Sequence, residues 1–573
     1  MMRVSVIGCG HLGAPHAAAM AELGHEVIGV ELDPEKCKSL GAGVAPFYEA
    51  GFAELLAAHT ATGQLRFTTD LGEAADFADL HFIAVGTPLR PDGDGYDTSQ
   101  VIGAIEALLP LLPPRPATIV GKSTVTVGTA AQLQHIIDEF APAARVDLVW
   151  NPEFLREGHA VEDTLRPDRI VAGLSSLEAR AAIEEVYAPI LASGVAELIV
   201  TDPATAEVLK SAANAFLSTK ISFINAMAEV CEITGADVNT VAYGIGIDKR
   251  IGHGGMRPGI GYGGGCLPKD VRAFTHRVGE LGAHDAYGLL TAVEHVNEGR
   301  GRAAAELVEK ANGGPLDGSR IAFLGASFKA GTSDVRDSPA LRLARRLVER
   351  GATPAIYDPE ALDAARIYHP EFTYADTVAD ALQGADLVVI GTEWPQFTHD
   401  PDLPDEAAAV VRRRVLVDVR NAVDAGPWIL AGWQVWQLGR PAQHPPYPTS
   451  QTPPWRLPMN METMWTQIRA LRERDERRSH APDPAKELLL VTKVSEEANE
   501  AAELYRRWRG WGTDGPQTAT LAEVQDELCA AILAGMVTLD RISPDKSAGS
   551  HWERYLAYGF QRAARENAAA AAE

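Results

Sequence analysis

The stretch Arg3-Val4-Ser5-Val6-Ile7-Gly8-Cys9-Gly10-His11-Leu12-Gly13 decides how this chain folds. Its first five residues read as a short buried strand, and the Ala-rich run after Gly13 reads as a helix. Between them the glycines have separate duties. Gly8 permits a tight turn, Gly10 lets the backbone approach a pyrophosphate, and Gly13 permits close helix–strand packing. The helix start then offers free N–H groups to an anion. A second strand, Glu26–Val30, is followed by Glu31, 18 residues beyond Gly13, with Asp33 as a second acid. An acid at that point binds a ribose diol and repels a 2′-phosphate, which favours NAD over NADP.

Outward from this unit the alternation continues. Further strands are expected at Leu80–Val85, Ala117–Val120 and Leu148–Trp150, with helical runs between them. Strand–helix alternation implies a parallel sheet with right-handed crossovers. Thr201–Gly235 reads as one long helix, and glycines interrupt the pattern between Gly244 and Gly265. Alternation resumes with strands at Arg320–Leu324, Thr353–Tyr357, Leu387–Ile390 and Val415–Val419. The fold class is therefore α/β: two Rossmann-like doubly wound domains joined by a long central helix, plus an all-α C-terminal module. The expected limits are 1–198 for the NAD-binding domain, 199–300 for the central helical region and 315–440 for the second α/β domain. Arg440–Pro458 carries seven prolines in 19 residues, which places a semi-stiff linker over 441–480 and the helical module at 481–573.

Bulk composition limits the function classes. The chain has 573 residues, with 46% hydrophobic and 23% charged side chains, enough for several cores. The net charge of −25 opposes binding to nucleic acid or to anionic lipid. Anionic small molecules then require locally basic pockets. The five cysteines, Cys9, Cys37, Cys231, Cys266 and Cys529, show neither CxxC spacing nor an even count, so no disulfide framework or zinc site follows. No apolar run reaches membrane-span length, and the N-terminus enters Val4–Ile7 without a signal-peptide core, so a cytoplasmic, reduced protein is expected.

A second informative segment is Gly261-Tyr262-Gly263-Gly264-Gly265-Cys266-Leu267-Pro268-Lys269-Asp270. A cysteine in a glycine-rich loop beside a lysine suits a nucleophile, because a nearby cation favours thiolate and glycines let a bulky substrate approach. Spacing alone leaves an inert buried cysteine equally open.

The chain resembles the UDP-glucose/GDP-mannose dehydrogenase family. The resemblance is carried by GCGHLG (8–13), GTP (86–88), KSTVTVGT (122–129), NPEFLREG (151–158) and PDRIV (167–171). It continues through KSAANAFLSTKISFIN (210–225), GYGGGCLPKD (261–270), GASFKAGTSDVRDSP (325–339), YDP (357–359), TEW (392–394) and DVRN (418–421), all in family order over about residues 1–440. The third glycine of GYGGGC replaces a serine found in many relatives.

The resemblance implies a two-step oxidation of a sugar CH2OH to a carboxylate with two NAD+. It makes Cys266 the nucleophile of a thiohemiacetal and thioester. Lys210 and Asn214 hold the oxyanion, Thr124 and Asp270 position water and protons, and Glu153 assists thioester hydrolysis. Cofactor contacts fall to Gly8, Gly10, Gly13, Glu31, Lys36, Thr87, Thr124, Glu157 and Arg336. The sugar nucleotide falls to Phe154, Leu155, Lys210, Asn214, Arg250, Tyr262, Gly263, Lys329 and Arg420. Arg250 is expected to reach a neighbouring subunit's site, which implies a homodimer sharing the central helix, or a higher homo-oligomer. The LPKD after the cysteine favours UDP-glucose, with GDP-mannose as the alternative.

In the tail, Glu496, Glu497, Glu500 and Glu503 lie mostly on one helix face, and EVQDEL (523–528) forms a second acidic helix. Carboxylates on two facing helices suit Mg2+ with a polyphosphate. The stretch resembles MazG-type nucleotide pyrophosphohydrolases, whose signature is EExxE followed by ExxD, and implies Glu496, Glu497, Glu500 and Glu527 as metal ligands. Ala530 stands where the final Asp is expected. Two competing readings follow, a pyrophosphohydrolase with a dehydrogenase-like sensor and a scaffold without activity. The intact set of Cys266, Lys210, Asn214, Asp270 and Glu153 favours the dehydrogenase.

Overall fold

The computed structural model describes residues 1–91, 95–140 and 145–444, together with 492–496, 498–500, 502–503 and 521–542. It divides into two units, Met1–Pro448 and Thr449–Glu573.

The first sheet has eight strands: β1 (Arg3–Ile7), β2 (Glu26–Val30), β3 (Leu65–Thr68), β4 (Leu80–Ile83), β5 (Ala117–Gly121), β6 (Val146–Trp150), β7 (Arg169–Gly173) and β8 (Glu197–Thr201). Their order is β3-β2-β1-β4-β5-β6-β7-β8, parallel throughout except where Trp150 meets Gly173 between β6 and β7. Helices cover both faces, so the central strands are apolar on both. Val4, Val6 and Phe82 join one core while Ile7, Ile28 and Ile83 join the other. Strand order reverses at β1 and β4, which opens a crevice at their C-terminal ends.

The sheet is followed by a 32-residue helix, Pro203–Thr234, about 48 Å long at 1.5 Å per residue. Pro203 sits in its first turn, Asp202 accepts the Thr205 N–H at its start, and Gly235 ends it with φ +76°. Helices Leu267–Glu280 and His284–Asn312 pack against it.

The second sheet comprises β9 (Arg320–Leu324), β10 (Thr353–Tyr357), β11 (Thr373–Tyr374), β12 (Leu387–Ile390), β13 (Val415–Asp418) and β14 (Gln434–Gln437). All its pairings are parallel, in the order β11-β10-β9-β12-β13-β14.

β3, β7, β8, β11 and β14 were absent from the strands expected above. Four of them are sheet edges, partly exposed and short on apolar runs. β8 also carries the first sheet past the boundary expected at residue 198. In the second unit, Leu521–Ile542 forms one helix.

Candidate active site

The glycine loop sits at the crevice, joining β1 to the helix Gly13–Glu22. Gly8 has φ +92°, and a Cβ there would stand 2.8 Å from Val85 Cγ1. At Gly13 a Cβ would stand 1.9 Å from the Gly8 carbonyl oxygen, so the turn closes only without a side chain. Gly10 faces open space for at least 4 Å. Leu12, at the helix cap, provides no side-chain acceptor, and the Ala14 N–H turns back onto the Gly10 carbonyl at 3.1 Å. Glu31 follows β2 and pairs with Lys36 at 2.9 Å. Asp33, the second acid considered for the ribose, instead caps the helix Pro34–Gly41 by accepting from the Glu35 and Lys36 N–H groups. Thr87 Oγ1 donates to the Thr124 carbonyl at 2.8 Å, which joins the two threonines expected at the cofactor. An open Gly10, a turn closed by Gly8 and Gly13, and an acid after β2 fit a dinucleotide.

Cys266 begins the helix Leu267–Glu280, and its side chain is exposed. The glycines before it are packed too closely for any side chain. A Cβ at Gly261 would lie 2.3 Å from Asn297 Oδ1, at Gly263 2.4 Å from Pro339 Cδ, at Gly264 2.8 Å from the Phe328 ring, and at Gly265 2.6 Å from Arg336 Cζ. The loop is pressed against the second α/β domain. Tyr262 is held there by two backbone hydrogen bonds with Asn297.

Around the cysteine lies a dense polar cluster. Buried Lys210 pairs with Glu153 Oε1 at 2.9 Å. Burial works against its charge, but Glu153 and then Asp270 outweigh burial and hold the ammonium above its ordinary range. Glu153 Oε2 accepts the Leu155 N–H at 2.5 Å, which turns the loop carrying Phe154. The Arg169 guanidinium lies 4.0 Å over the Phe154 ring. Asp270 accepts from Asn214 Nδ2 at 2.7 Å, Lys269 Nζ at 2.6 Å and Tyr96 OH at 2.7 Å.

The expectation that local cations favour thiolate is reversed. Burial, then the carboxylates of Asp270, Glu153 and Glu157, push the Cys266 thiol up to about 12, and Lys210 only partly opposes them. Here the side chain is exposed in area yet walled by protein charge, and the acids outnumber the lysine.

The second domain completes the site. Arg336 grips Asp334 with Nε at 2.9 Å and Nη2 at 2.7 Å. Arg420 pairs with Glu393 at 2.6 Å and donates to the Phe328 carbonyl at 3.2 Å. Burial pulls the Lys329 ammonium down, and Glu157, Glu49 and Glu393 counter it. Arg250 stands apart: it is exposed, and its guanidinium is bonded to Asp248.

Two groups in this cluster carried no sequence-based expectation. Tyr96 reaches Asp270 across 174 residues. Lys122, within the KSTVTVGT motif, is buried, donates to Asn151 Oδ1 at 3.1 Å, and is pulled by burial to about 8. Its motif was the available signal.

Of the tail carboxylates, Glu496, Glu500 and Glu527 lie in described helices and Glu497 lies outside the described residues. Lys493 approaches Glu496 at 3.8 Å. Among the described residues no three His, Cys, Asp or Glu side chains gather as a metal site, and no helix is long and apolar enough to cross a membrane.

Family models for the UDP-glucose/GDP-mannose dehydrogenase NAD-binding, central and UDP-binding domains match residues 2–191, 204–299 and 322–425. The chain belongs to the UDP-glucose/GDP-mannose dehydrogenase family. It is an NAD-dependent nucleotide-sugar 6-dehydrogenase, with an NAD-binding N-terminal domain and a nucleotide-sugar-binding second domain. Among relatives, UDP-glucose 6-dehydrogenase of Rhizobium meliloti (strain 1021) is 41% identical over 444 residues, covering 77% of this chain and all of that one. UDP-glucose 6-dehydrogenase YwqF of Bacillus subtilis (strain 168) is 37% identical over 448 residues, 78% of this chain and 99% of that one. The structure of a UDP-glucose dehydrogenase from Pyrobaculum islandicum superposes with a TM-score of 0.68 at 36% identity, covering 74% of this chain and 95% of that chain.

Proposed function

We propose that this dehydrogenase oxidises UDP-glucose to UDP-glucuronate, with Cys266 holding the sugar carbon between two hydride losses. The observation that carries this reading is an exposed thiol at a helix start, surrounded by Lys210, Glu153, Glu157 and an Asp270 tied to Asn214. Bound NAD+ supplies a hydride acceptor for each oxidation. Gly8, Gly10, Gly13, Glu31, Lys36, Thr87 and Thr124 hold it on the first domain, and Glu157 and Arg336 hold it from the interdomain side. Phe154, Leu155, Tyr262, Gly263, Lys329 and Arg420 seat the sugar nucleotide.

In the first oxidation the C6 hydroxyl loses its proton and C6 loses a hydride, leaving an aldehyde. Cys266 Sγ bonds to that carbon and its thiol proton passes to a nearby base, while Lys210 and Asn214 offset the charge on the oxygen. Loss of the second hydride leaves a thioester. Water, held by Thr124 and Asp270 and deprotonated toward Glu153, displaces the sulfur and releases the carboxylate. The names of the relatives above support UDP-glucose over GDP-mannose.

The test is NADH formation with a panel of UDP- and GDP-sugars. UDP-glucose should give the highest kcat/KM, and Cys266→Ala should fall to background. Background rates with every sugar, or full activity in Cys266→Ala, would remove the assignment. A thiol near 12 also predicts that iodoacetamide labels Cys266 about tenfold faster per pH unit through pH 9–10, with no plateau.

A homodimer on the central helix accounts for the exposed stripe of Phe216, Phe223 and Val230, spaced seven apart, with Arg250 supplied to the partner's site. A fully active monomer in sedimentation would exclude it. Mg2+-dependent hydrolysis by the tail rests on its EExxE motif and on Glu527 of the second acidic helix. Nucleotide cleavage that survives Glu497→Ala would separate any such activity from those carboxylates.

A further inference from the structure

The loop that leaves β4 serves both ends of the site. It carries Thr87 to the cofactor side, where Oγ1 donates to the Thr124 carbonyl at 2.8 Å. Beyond Pro88 its two arms pair. The Asp97 N–H donates to the Pro88 carbonyl at 2.8 Å, the Arg90 N–H donates to the Gly95 carbonyl at 2.9 Å, and Leu89 and Tyr96 form an antiparallel bridge. Two side chains of these arms reach the helix Leu267–Glu280, which begins beside Cys266. Tyr96 OH donates to Asp270 Oδ1 at 2.7 Å, and Arg90 Nη2 lies 3.0 Å from His276 Nε2. Tyr96 is buried, and Lys269 Nζ lies 4.4 Å over its ring.

We propose that Tyr96 is a positioning residue for thioester hydrolysis: it fixes the Asp270 carboxylate so that Oδ2 is the oxygen left to hold the attacking water. This role rests on the dehydrogenase reading above. Tyr96 lies outside every motif that carries the family resemblance.

A carboxylate offers about four acceptor positions, about two on each oxygen. Oδ1 of Asp270 takes both the Tyr96 hydroxyl and Lys269 Nζ, the latter at 2.6 Å. Oδ2 takes Asn214 Nδ2 at 2.7 Å, and no second donor among the described residues. The open position is therefore on Oδ2, on the Asn214 side. Of the two donors on Oδ1, the tyrosine is the rigid one. Lys269 is the chain neighbour of Asp270, carries a long flexible stem and is 22% exposed, so it can follow a turning carboxylate. The Tyr96 hydroxyl is set by a buried ring on a separate, bridged loop.

In hydrolysis the water oxygen bonds to the thioester carbon and the C–S bond breaks. One water proton returns to the Cys266 sulfur by way of Glu153, and the other leaves the new carboxyl for solvent. Without the Tyr96 hydroxyl, Oδ1 gains a vacant acceptor position and the carboxylate loses its fixed plane. The water is then held in line less often, and hydrolysis slows.

Tyr96→Phe in the full-length protein tests this, since it keeps the ring under Lys269 and removes a single oxygen. Hydrolysis follows both oxidations. Slowing it alone should lower kcat with UDP-glucose about tenfold to about a hundredfold and lower KM in parallel, leaving kcat/KM within about threefold of the wild type. Protein quenched in acid during turnover should carry a sugar-nucleotide adduct on the Cys266 peptide by mass spectrometry. A packing defect would instead lower kcat/KM and leave no adduct. That outcome, or a wild-type kcat in Tyr96→Phe, overturns the proposal. A double-variant cycle gives a second reading. In an Asp270→Asn background, adding Tyr96→Phe should change the rate by less than about twofold, and losses that simply multiply overturn the proposal too. A wild type that forms no NADH with any sugar would remove the dehydrogenase reading itself. A wild type that does, matched by Tyr96→Phe, strikes the tyrosine's role alone.

Discussion

The two α/β domains begin with the same architecture and use it in opposite ways. After β1, the Gly8 N–H donates to the Val30 carbonyl at 2.9 Å; after β9, the Gly325 N–H donates to the Tyr357 carbonyl at 2.7 Å. Each second strand is followed by an acid, Glu31 in one and Asp358 in the other. Among the described residues the Glu31 carboxylate meets Lys36 and the Asp33 N–H, whereas Asp358 is wholly buried. Its carboxylate accepts from the N–H groups of Ala326, Ser327, Glu360 and Ala361, from Ser327 Oγ and from Trp394 Nε1. Gly10 leaves open space, while the equivalent Ser327 fills it with its own hydroxyl. Topology alone therefore does not make a dinucleotide site. What matters is whether the acid and the loop are left free for a ligand or spent on the fold.

Substitutions in the two domains can break this contrast. Asp358→Ala should cost about 3 kcal/mol in urea unfolding, because it strands several buried donors, while leaving NAD+ affinity of the folded fraction unchanged. A loss below about 1 kcal/mol would mean that the carboxylate is not structural. Gly10→Val should act in reverse, weakening NAD+ by about a hundredfold, or about 2.7 kcal/mol, in calorimetric titration with little change in Tm. Wild-type affinity there would deny the loop its role. Glu31→Gln should weaken NAD+ about tenfold and narrow the preference over NADP+, since one charged hydrogen bond to a ribose diol is worth about 1.5–3 kcal/mol at most. The smallest effect belongs to Ser327→Gly, about 1 kcal/mol of stability and no gain of nucleotide binding at the second sheet.

Much of this molecule was legible in order along the chain. Strands Arg3–Ile7, Glu26–Val30, Arg320–Leu324, Thr353–Tyr357 and Leu387–Ile390 fall where their apolar runs end, because strands buried on both faces carry a continuous signal. Edge strands do not, and β3, β8, β11 and β14 went unseen for that reason. Within the site, Cys266, Lys210, Asn214, Asp270 and Glu153 were identified from motifs, and the structure brings them to one place. Tyr96, Asn297 and Lys122 were not, since each acquires its role from a partner distant in sequence. Asp33, the second acid after Glu31, shows how one residue type serves two ends: a side chain suited to ribose is here the N-cap of the helix Pro34–Gly41.

By itself the sequence determined the two nucleotide-type folds, the NAD-binding character of the first, the family and the cysteine around which the proposed chemistry is arranged. Those properties depend on residue type at short spacing, which the chain displays directly. The tertiary structure decided the rest. It pushed the Cys266 thiol up through burial first and then through the carboxylates of Asp270, Glu153 and Glu157. It turned the glycines of the GYGGGC loop into a seam against the second domain. It also joined Thr332 of the second domain to Glu157 of the first. Burial and charge pairing act through space, and chain order does not record which loops will meet there.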